Sequence, residues 1–207
     1  MFIGNLHRSN VLVMFSLFFG AVGIGFAIIN QTQYALLSLI VATVADVFIY
    51  KFSRAFDCDE AVVSFAKGLE YLADFVIFGV LPAVLLIQVL QASVWGVLLA
   101  ALYMSAVAIR LAHFNRAARF QVEHAPGTTL GVKVEMVGLI LPIVALLGYV
   151  LPLVVFQVVF ALVYVLLAAG YVWKREVPEI PAAWTLYIFA LQALVAVALI
   201  ALGSIFK

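Results

Sequence analysis

Charge is what this sequence has least of. Only 10% of its 207 residues are Asp, Glu, Lys or Arg, while 68% are hydrophobic. Soluble domains carry roughly a quarter charged residues, so at a mean hydropathy of +1.26 a water-soluble domain is excluded and the chain reads as an integral membrane protein. With a formal net charge of +1 there is no broad basic surface, and no nucleic-acid partner is expected. There is one cysteine, Cys58, which excludes an intrachain disulfide. No internal repeat, low-complexity tract or G-x-x-x-x-G-K-[ST] phosphate loop is present, which sets P-loop chemistry aside. The first apolar run follows Arg8 but has no small-residue cleavage site after it, so it reads as a retained span rather than a signal peptide.

What is there is a series of long apolar runs. Residues 1–10 have the spacing of a short interfacial helix. Uncharged residues 11–29 match the roughly 20 residues needed to cross ~30 Å of hydrocarbon. A tight polar link at 30–33 makes the next run, 34–50, its antiparallel neighbour. A charged loop, 54–67, leads to a third run at 69–90, and a fourth continues from 94 to about Arg110. The longest polar segment, 110–135, comes next. Residues 136–173 then carry no charge at all. As one helix they would be ~57 Å long, so they are expected to fold back near Gly148 and Pro152, giving runs at 137–148 and 153–173. A last run covers 182–206. The expectation is an all-α polytopic membrane protein of one domain, 1–207, with about seven transmembrane helices.

Ten of the eleven Lys and Arg residues fall at the N-terminus or in the segments after runs two, four and six. Under the positive-inside rule this puts the N-terminus in the cytoplasm. All ten acids map to that same side, so both signs of charge converge on one mouth of the bundle, at a cytoplasmic or inner membrane.

Asp46, Glu70 and Asp74 flank two of the apolar runs. An ionisable group at membrane depth costs several kcal/mol unless paired, wet or bound to a cation, and so marks a functional site. Glu70 and Asp74, four residues apart, project from one helix face. Asp46 on the antiparallel neighbour is placed to join them in an all-oxygen site of the kind Mg²⁺, Mn²⁺ or Ca²⁺ prefers.

The residues around these acids resemble the CDP-alcohol phosphatidyltransferases, whose signature is D-x-x-D-G-x-x-A-R, a spacer of eight, then G-x-x-x-D-x-x-x-D. Here the match runs Asp46-x-x-Ile49-Tyr50-x-x-Ser53-Arg54, eleven residues, then Ala66-x-x-x-Glu70-x-x-x-Asp74. LEYLADFVIFGVLPA at 69–83 is similar to the L-D-S-L-A-D-x-V-x-F-G-V-A-P-A of the phosphatidylserine synthase branch, and AIRLAHFN at 108–115 to its A-L-R-L-A-R-F-N. The resemblance spans residues 11–175 and implies a six-helix transferase core, with the run at 182–206 as an additional C-terminal span. It further implies a usually dimeric enzyme that moves a phosphatidyl group from a CDP-linked lipid to a small alcohol acceptor and releases CMP. Carried over, Asp46, Glu70 and Asp74 would be metal ligands, Asp74 also the general base, and Arg54 would face the nucleotide phosphates. Arg110 and Asn115 would contact lipid phosphate or acceptor.

The signature is degenerate. Ile49 replaces the second aspartate, Tyr50 and Ala66 replace glycines, Ser53 replaces alanine, and the spacer is three residues longer. Residue 49 lies about 60° round the helix from Asp46, so the sequence predicts an apolar side chain where a second ligand should be, and a site holding a single Mg²⁺ or Mn²⁺. Asp57 and Asp59, in the lengthened spacer, read as a solvated acidic loop. Two other expectations stand beside the enzyme: a family member that binds lipid or a partner subunit without turnover, and a transporter that couples cations through buried acids.

Overall fold

A computed structural model describes residues 8–53, 60–119, 128–178 and 181–205. The expected interfacial helix therefore lies outside the described residues except for its last three positions. So do Arg54, Asp57, Cys58 and Asp59.

The described chain is mostly helical. α1 is Arg8–Ile28, α2 Thr32–Ser53 and α3 Glu60–Asp74. A π-helical stretch, Phe75–Val80, joins α3 without a break to α4, Leu81–Val89. α5 is Val94–Arg119 and α6 is Met136–Leu146, the latter extended by a 3₁₀ turn over Leu147–Tyr149. α7, Leu153–Val172, and α8, Thr185–Ile205, complete the bundle. Two three-residue strands, β1 (Thr128–Leu130) and β2 (Glu176–Pro178), pair antiparallel with Thr129 opposite Val177.

Among the described residues, five stretches are long and apolar enough to cross a bilayer: Asn10–Ile28, Ser64–Val89, Val94–Asn115, Leu153–Val172 and Thr185–Gly203. Thr32–Phe48 and Met136–Tyr149 are apolar but shorter. The fold is that of an integral membrane protein, with many large apolar side chains (Phe18, Trp95, Leu102, Leu166, Leu194) facing outward.

Three boundaries depart from the sequence expectation. The third helical element begins at Glu60 rather than Leu69, because its charged opening turns are amphipathic rather than uniformly apolar. α5 continues to Arg119, so Arg110 and Arg116 belong to a helix and not to the polar loop. The leucine, alanines and arginines of RLAHFNRAAR at 110–119 are good helix formers, which explains the extension past the apolar run. The β1–β2 ribbon is a small departure from an all-α fold, drawn from two segments read as polar links.

Local chemistry sets the turns. α1 ends in a Schellman arrangement in which the Gln31 amide donates to Phe26 O at 2.8 Å and the Asn30 amide to Ala27 O at 3.1 Å, with Asn30 left-handed at φ 61°. The end of α4 repeats the pattern: the Ala92 amide donates to Ile87 O at 2.8 Å and the Gln91 amide to Gln88 O at 2.9 Å. Ser93 then caps α5, its Oγ accepting from the Gly96 amide at 3.1 Å. These tight reversals make α1/α2 and α4/α5 antiparallel neighbours.

Packing follows small residues. α1 lies closely along α2 and also against the α3–α4 element. A Cβ at Gly20 would stand 2.7 Å from Ile77 and one at Gly23 2.8 Å from Leu81, so glycine permits this approach. On the other side α2 meets α6 where Gly138 faces Thr43. The core runs through Leu39, Ile77, Phe78, Leu86, Tyr103, Leu141 and Tyr164, all fully buried.

This arrangement gives the bundle two distinct ends. One of them, called here the acidic end, holds the C-terminal parts of α2, α5 and α7, the start of α6, and Glu70 and Asp74 toward the end of α3. At the other, Asn30, Gln33, Gln88, Gln91 and Tyr149 line a cavity of about 340 Å³.

Candidate functional site

Asp46 lies near the end of α2, seven residues before Ser53. Glu70 is one turn before Asp74, and Asp74 is the last residue of α3, immediately before the π-helical stretch. A π-turn shifts the register of a helix locally and is common at functional sites. Here it fixes how α3, with its acids, is rotated relative to α4.

The three acids named from the sequence lie within electrostatic range of one another without forming a close cluster. The carboxyl group of Asp74 lies in electrostatic range of those of Asp46 and Glu70, and Asp46 and Glu70 are in range of each other. Asp74 is only 7% exposed, and its Oδ1 is buried with no hydrogen-bond partner. Lys67, one turn before Tyr71, is in electrostatic range of Glu70 with the opposite charge.

A fourth acid joins them. Glu135, in the turn before α6, is in electrostatic range of Asp46, Glu70 and Asp74. Its Oε2 is likewise buried and without a hydrogen-bond partner. Sequence reading left Glu135 at the tail of the longest polar segment, 61 positions beyond Asp74. The available signal was its place directly before an uncharged run, on the side where every other acid lies.

The β ribbon sets where Glu135 sits. Gly131 follows β1 at φ +64°, and its amide donates to Arg175 O at 2.7 Å. A Cβ there would stand 2.6 Å from Gly170 O and 2.8 Å from Trp173 O, so only glycine fits this close approach to the end of α7. The Val132 amide then donates to Gly170 O at 3.0 Å, and Tyr171 Oη donates to Val134 O at 3.3 Å. The chain turns into α6 with the Gly138 amide on Glu135 O at 3.0 Å.

Arg110 is expected from the sequence to contact lipid phosphate or acceptor. It is 5% exposed. Its Nη1 donates to the backbone carbonyls of Leu130 and Tyr171, and its guanidinium lies 4.6 Å over the Phe114 ring. It therefore ties α5 to the β1 turn and to α7, with Glu135 in electrostatic range. Asn115 stands about one turn further along α5 and is partly exposed at the same end. Arg54 and the side chain of Ile49 lie outside the described residues.

The donor set fits a divalent cation in kind, since it is all carboxylate oxygen and includes two buried oxygens without partners. It does not form a closed ligand shell: among the described residues, no group of three or more His, Cys, Asp or Glu stands close enough together to hold an ion. Like charges repel, and these carboxylates are gathered at one place while standing apart from one another. No protein-family model matches the chain, and no curated protein matches it.

Proposed function

We propose that the chain is a phosphatidyltransferase of the CDP-alcohol type, acting at the cytoplasmic mouth of a seven-span bundle built on a six-helix core. The observation that carries this reading is that Asp46, Glu70 and Asp74, from two helices, lie within electrostatic range of one another, with Asp74 buried and one of its oxygens without a partner. Their motif context, LEYLADFVIFGVLP and AIRLAHFN, supports the substrate class.

In this reading Asp46, Glu70 and Asp74 hold Mg²⁺ or Mn²⁺, which would neutralise the pyrophosphate of a CDP-linked lipid and stabilise departing CMP. Asp74 takes the proton of the acceptor hydroxyl. The acceptor oxygen forms a bond to the lipid-side phosphorus while the bond from that phosphorus to the CMP oxygen breaks, and CMP leaves with the electron pair. Arg54 faces the nucleotide phosphates, and Asn115, partly exposed toward the end of α5, contacts headgroup or acceptor. Arg110, bonded to two backbone carbonyls, holds the β1 turn and the end of α7 in place and would bear on the lipid phosphate through its charge. A homodimer in the membrane is part of the proposal.

The direct experiment is CMP release by purified protein given CDP-diacylglycerol, Mn²⁺ and serine or another small alcohol. Release that depends on both alcohol and divalent cation supports the reading. Saturable CDP-diacylglycerol binding with no release under any alcohol supports the second expectation, a family member that binds lipid without turnover. Absence of both binding and release overturns the assignment.

A further inference from the structure

We infer that the cavity at the end of the bundle opposite the acids binds the neutral, hydroxyl-rich headgroup of a membrane lipid, of the kind a glycosyl diacylglycerol carries. The inference stands apart from the transferase reading and uses none of its residues.

The first observation is where the cavity lies. Three reversals between apolar helices fall at this end, after α1 at Asn30, after α4 at Gln91 and after α6 at Gly148 to Pro152, which puts it at the level where a bilayer passes into water. α6 leaves the room. With its 3₁₀ turn it covers Met136–Tyr149, about 21 Å at 1.5 Å per residue, against ~30 Å of hydrocarbon. The cavity of about 340 Å³ lies at that short end, against Ala145, Gly148 and Tyr149, and falls within the size range of small-molecule sites.

The second observation is its chemistry. The α1–α2 turn, the start of α2 and the end of α4 supply four carboxamides, Asn30, Gln33, Gln88 and Gln91, and among the described residues none that lines the cavity is charged. A carboxamide both donates and accepts, as a ligand hydroxyl does, so the two pair in either direction, whereas a charged headgroup would enter without a counter-charge. The amide network is held in place but is not closed on itself. Gln88 Nε2 donates to Asn30 Oδ1 at 3.3 Å, Gln157 Nε2 ties α7 to Val89 O at 2.9 Å, and Gln33 lies so near Gly203 of α8 that a Cβ there has no room. Oε1 of Gln88, in the same wall, is buried with no hydrogen-bond partner. Phe156 and Phe160 of α7 and Leu199 of α8 make the remaining wall apolar. That wall suits the first carbons of an acyl chain, which a free sugar lacks, so the occupant is a lipid rather than a soluble sugar.

The test is native mass spectrometry of the purified full chain, in a detergent without a sugar head, titrated with a short-chain glucosyl diacylglycerol. Methyl glucoside and a phosphatidic acid of the same chain length are the comparison ligands. The wild type is expected to bind the glucosyl lipid saturably and each comparison ligand about tenfold or more weakly. Gln88→Leu and Gln91→Ala should each weaken the glucosyl lipid about three- to tenfold, the worth of a hydrogen bond between neutral groups. Gln88→Leu also removes the bond to Asn30, so gel filtration and thermal melting check its fold. Gln91 stands on an exposed turn, and its alanine variant carries the test if Gln88→Leu does not fold. No saturable binding of the glucosyl lipid by the wild type overturns the inference and leaves a cavity filled by water. Equal affinity in the wild type and the folded variants overturns it as well, since the lipid then binds elsewhere. Methyl glucoside bound as tightly as the lipid overturns the choice of a lipid, and phosphatidic acid bound as tightly overturns the choice of a neutral headgroup.

Discussion

The hydroxyl of Tyr103 donates to the carbonyl oxygen of Phe78 at 2.6 Å, the carbonyl four residues before Pro82. Proline has no amide hydrogen to give back along a helix, and in the apolar interior of a membrane protein every backbone polar group has to be satisfied by the protein. Tyr164 does the same for Pro82 itself, its hydroxyl donating to Pro82 O at 2.6 Å. The two tyrosine rings meet edge to face at 4.9 Å. The π-helical stretch that orients the acids is thus braced from α5 and α7. Tyr103→Phe should keep the packing and strand the Phe78 carbonyl, destabilising the protein by about 1–3 kcal/mol. A thermal melt in detergent unchanged from wild type would show that the carbonyl finds another donor.

Gly131→Ala tests the ribbon. The residue sits at φ +64°, and a Cβ would press on two carbonyl oxygens of the α7 end. The expected cost is about 1–3 kcal/mol of local strain, relieved by movement of the β1 turn away from α7. The melting temperature in detergent should fall accordingly, and an unchanged melt would show that the turn relaxes without cost.

Arg110 offers a separation of roles. Lysine keeps the charge but lacks the planar fork that serves two carbonyls. Arg110→Lys should therefore lower thermal stability by about 1–2 kcal/mol through the lost bonds to Leu130 and Tyr171, with CDP-diacylglycerol affinity falling in step. Lost affinity at wild-type stability would point instead to direct contact with the lipid phosphate as its main role.

The apolar segments were legible in the sequence because hydrophobic length and turn chemistry are local properties. The fold-back near Gly148 followed from the impossibility of a 57 Å helix in a 30 Å layer, and the structure turns at Leu147–Pro152. The expectation that Asp46 lies on the same side as Glu70 and Asp74 came from reading the second and third runs as antiparallel across the charged loop 54–67. What could not be read is non-local. The pairing of Thr129 with Val177 joins segments nearly 50 positions apart, and no alternation in three-residue strands announces it. The π-turn after Asp74 has no hydrophobic period of its own. Glu135 looked like the end of a solvated loop because its neighbours in the site come from α2 and α3.

Catalysis should depend on Asp74 and on the cation separately. Asp74→Asn keeps the side-chain shape and removes the base, so CMP release should vanish while CDP-diacylglycerol still binds. Chelation by EDTA should abolish release in the wild type and be reversed by Mn²⁺. Ile49→Asp with Tyr50→Gly, which restores two motif positions, should raise turnover. Release that survives both EDTA and Asp74→Asn would rule out the mechanism.

The two ends of the bundle should also lie on opposite sides of the membrane. Asn30 and Gln91 are exposed at the end away from the acids, joined there through Gln88, whose Nε2 donates to Asn30 Oδ1 at 3.3 Å. Thr128 begins the ribbon at the acidic end. In a Cys58→Ser background, single cysteines at 30 and 91 should react with a membrane-impermeant maleimide added outside intact cells, and a cysteine at 128 only after permeabilisation. Both exposed positions are left-handed, at φ 61° and 54°, so a cysteine costs about 1 kcal/mol at each, which leaves the fold intact. Opposite sidedness of 30 and 128 follows from the fold alone, whereas an external 30 and 91 also depends on the ten cationic residues that the sequence puts at the acidic side. Reaction of 128 outside and of 30 and 91 inside would therefore invert the orientation while keeping the bundle. It would place the carboxylates beyond the reach of a cytoplasmic CDP-linked lipid and end the transferase proposal on topological grounds.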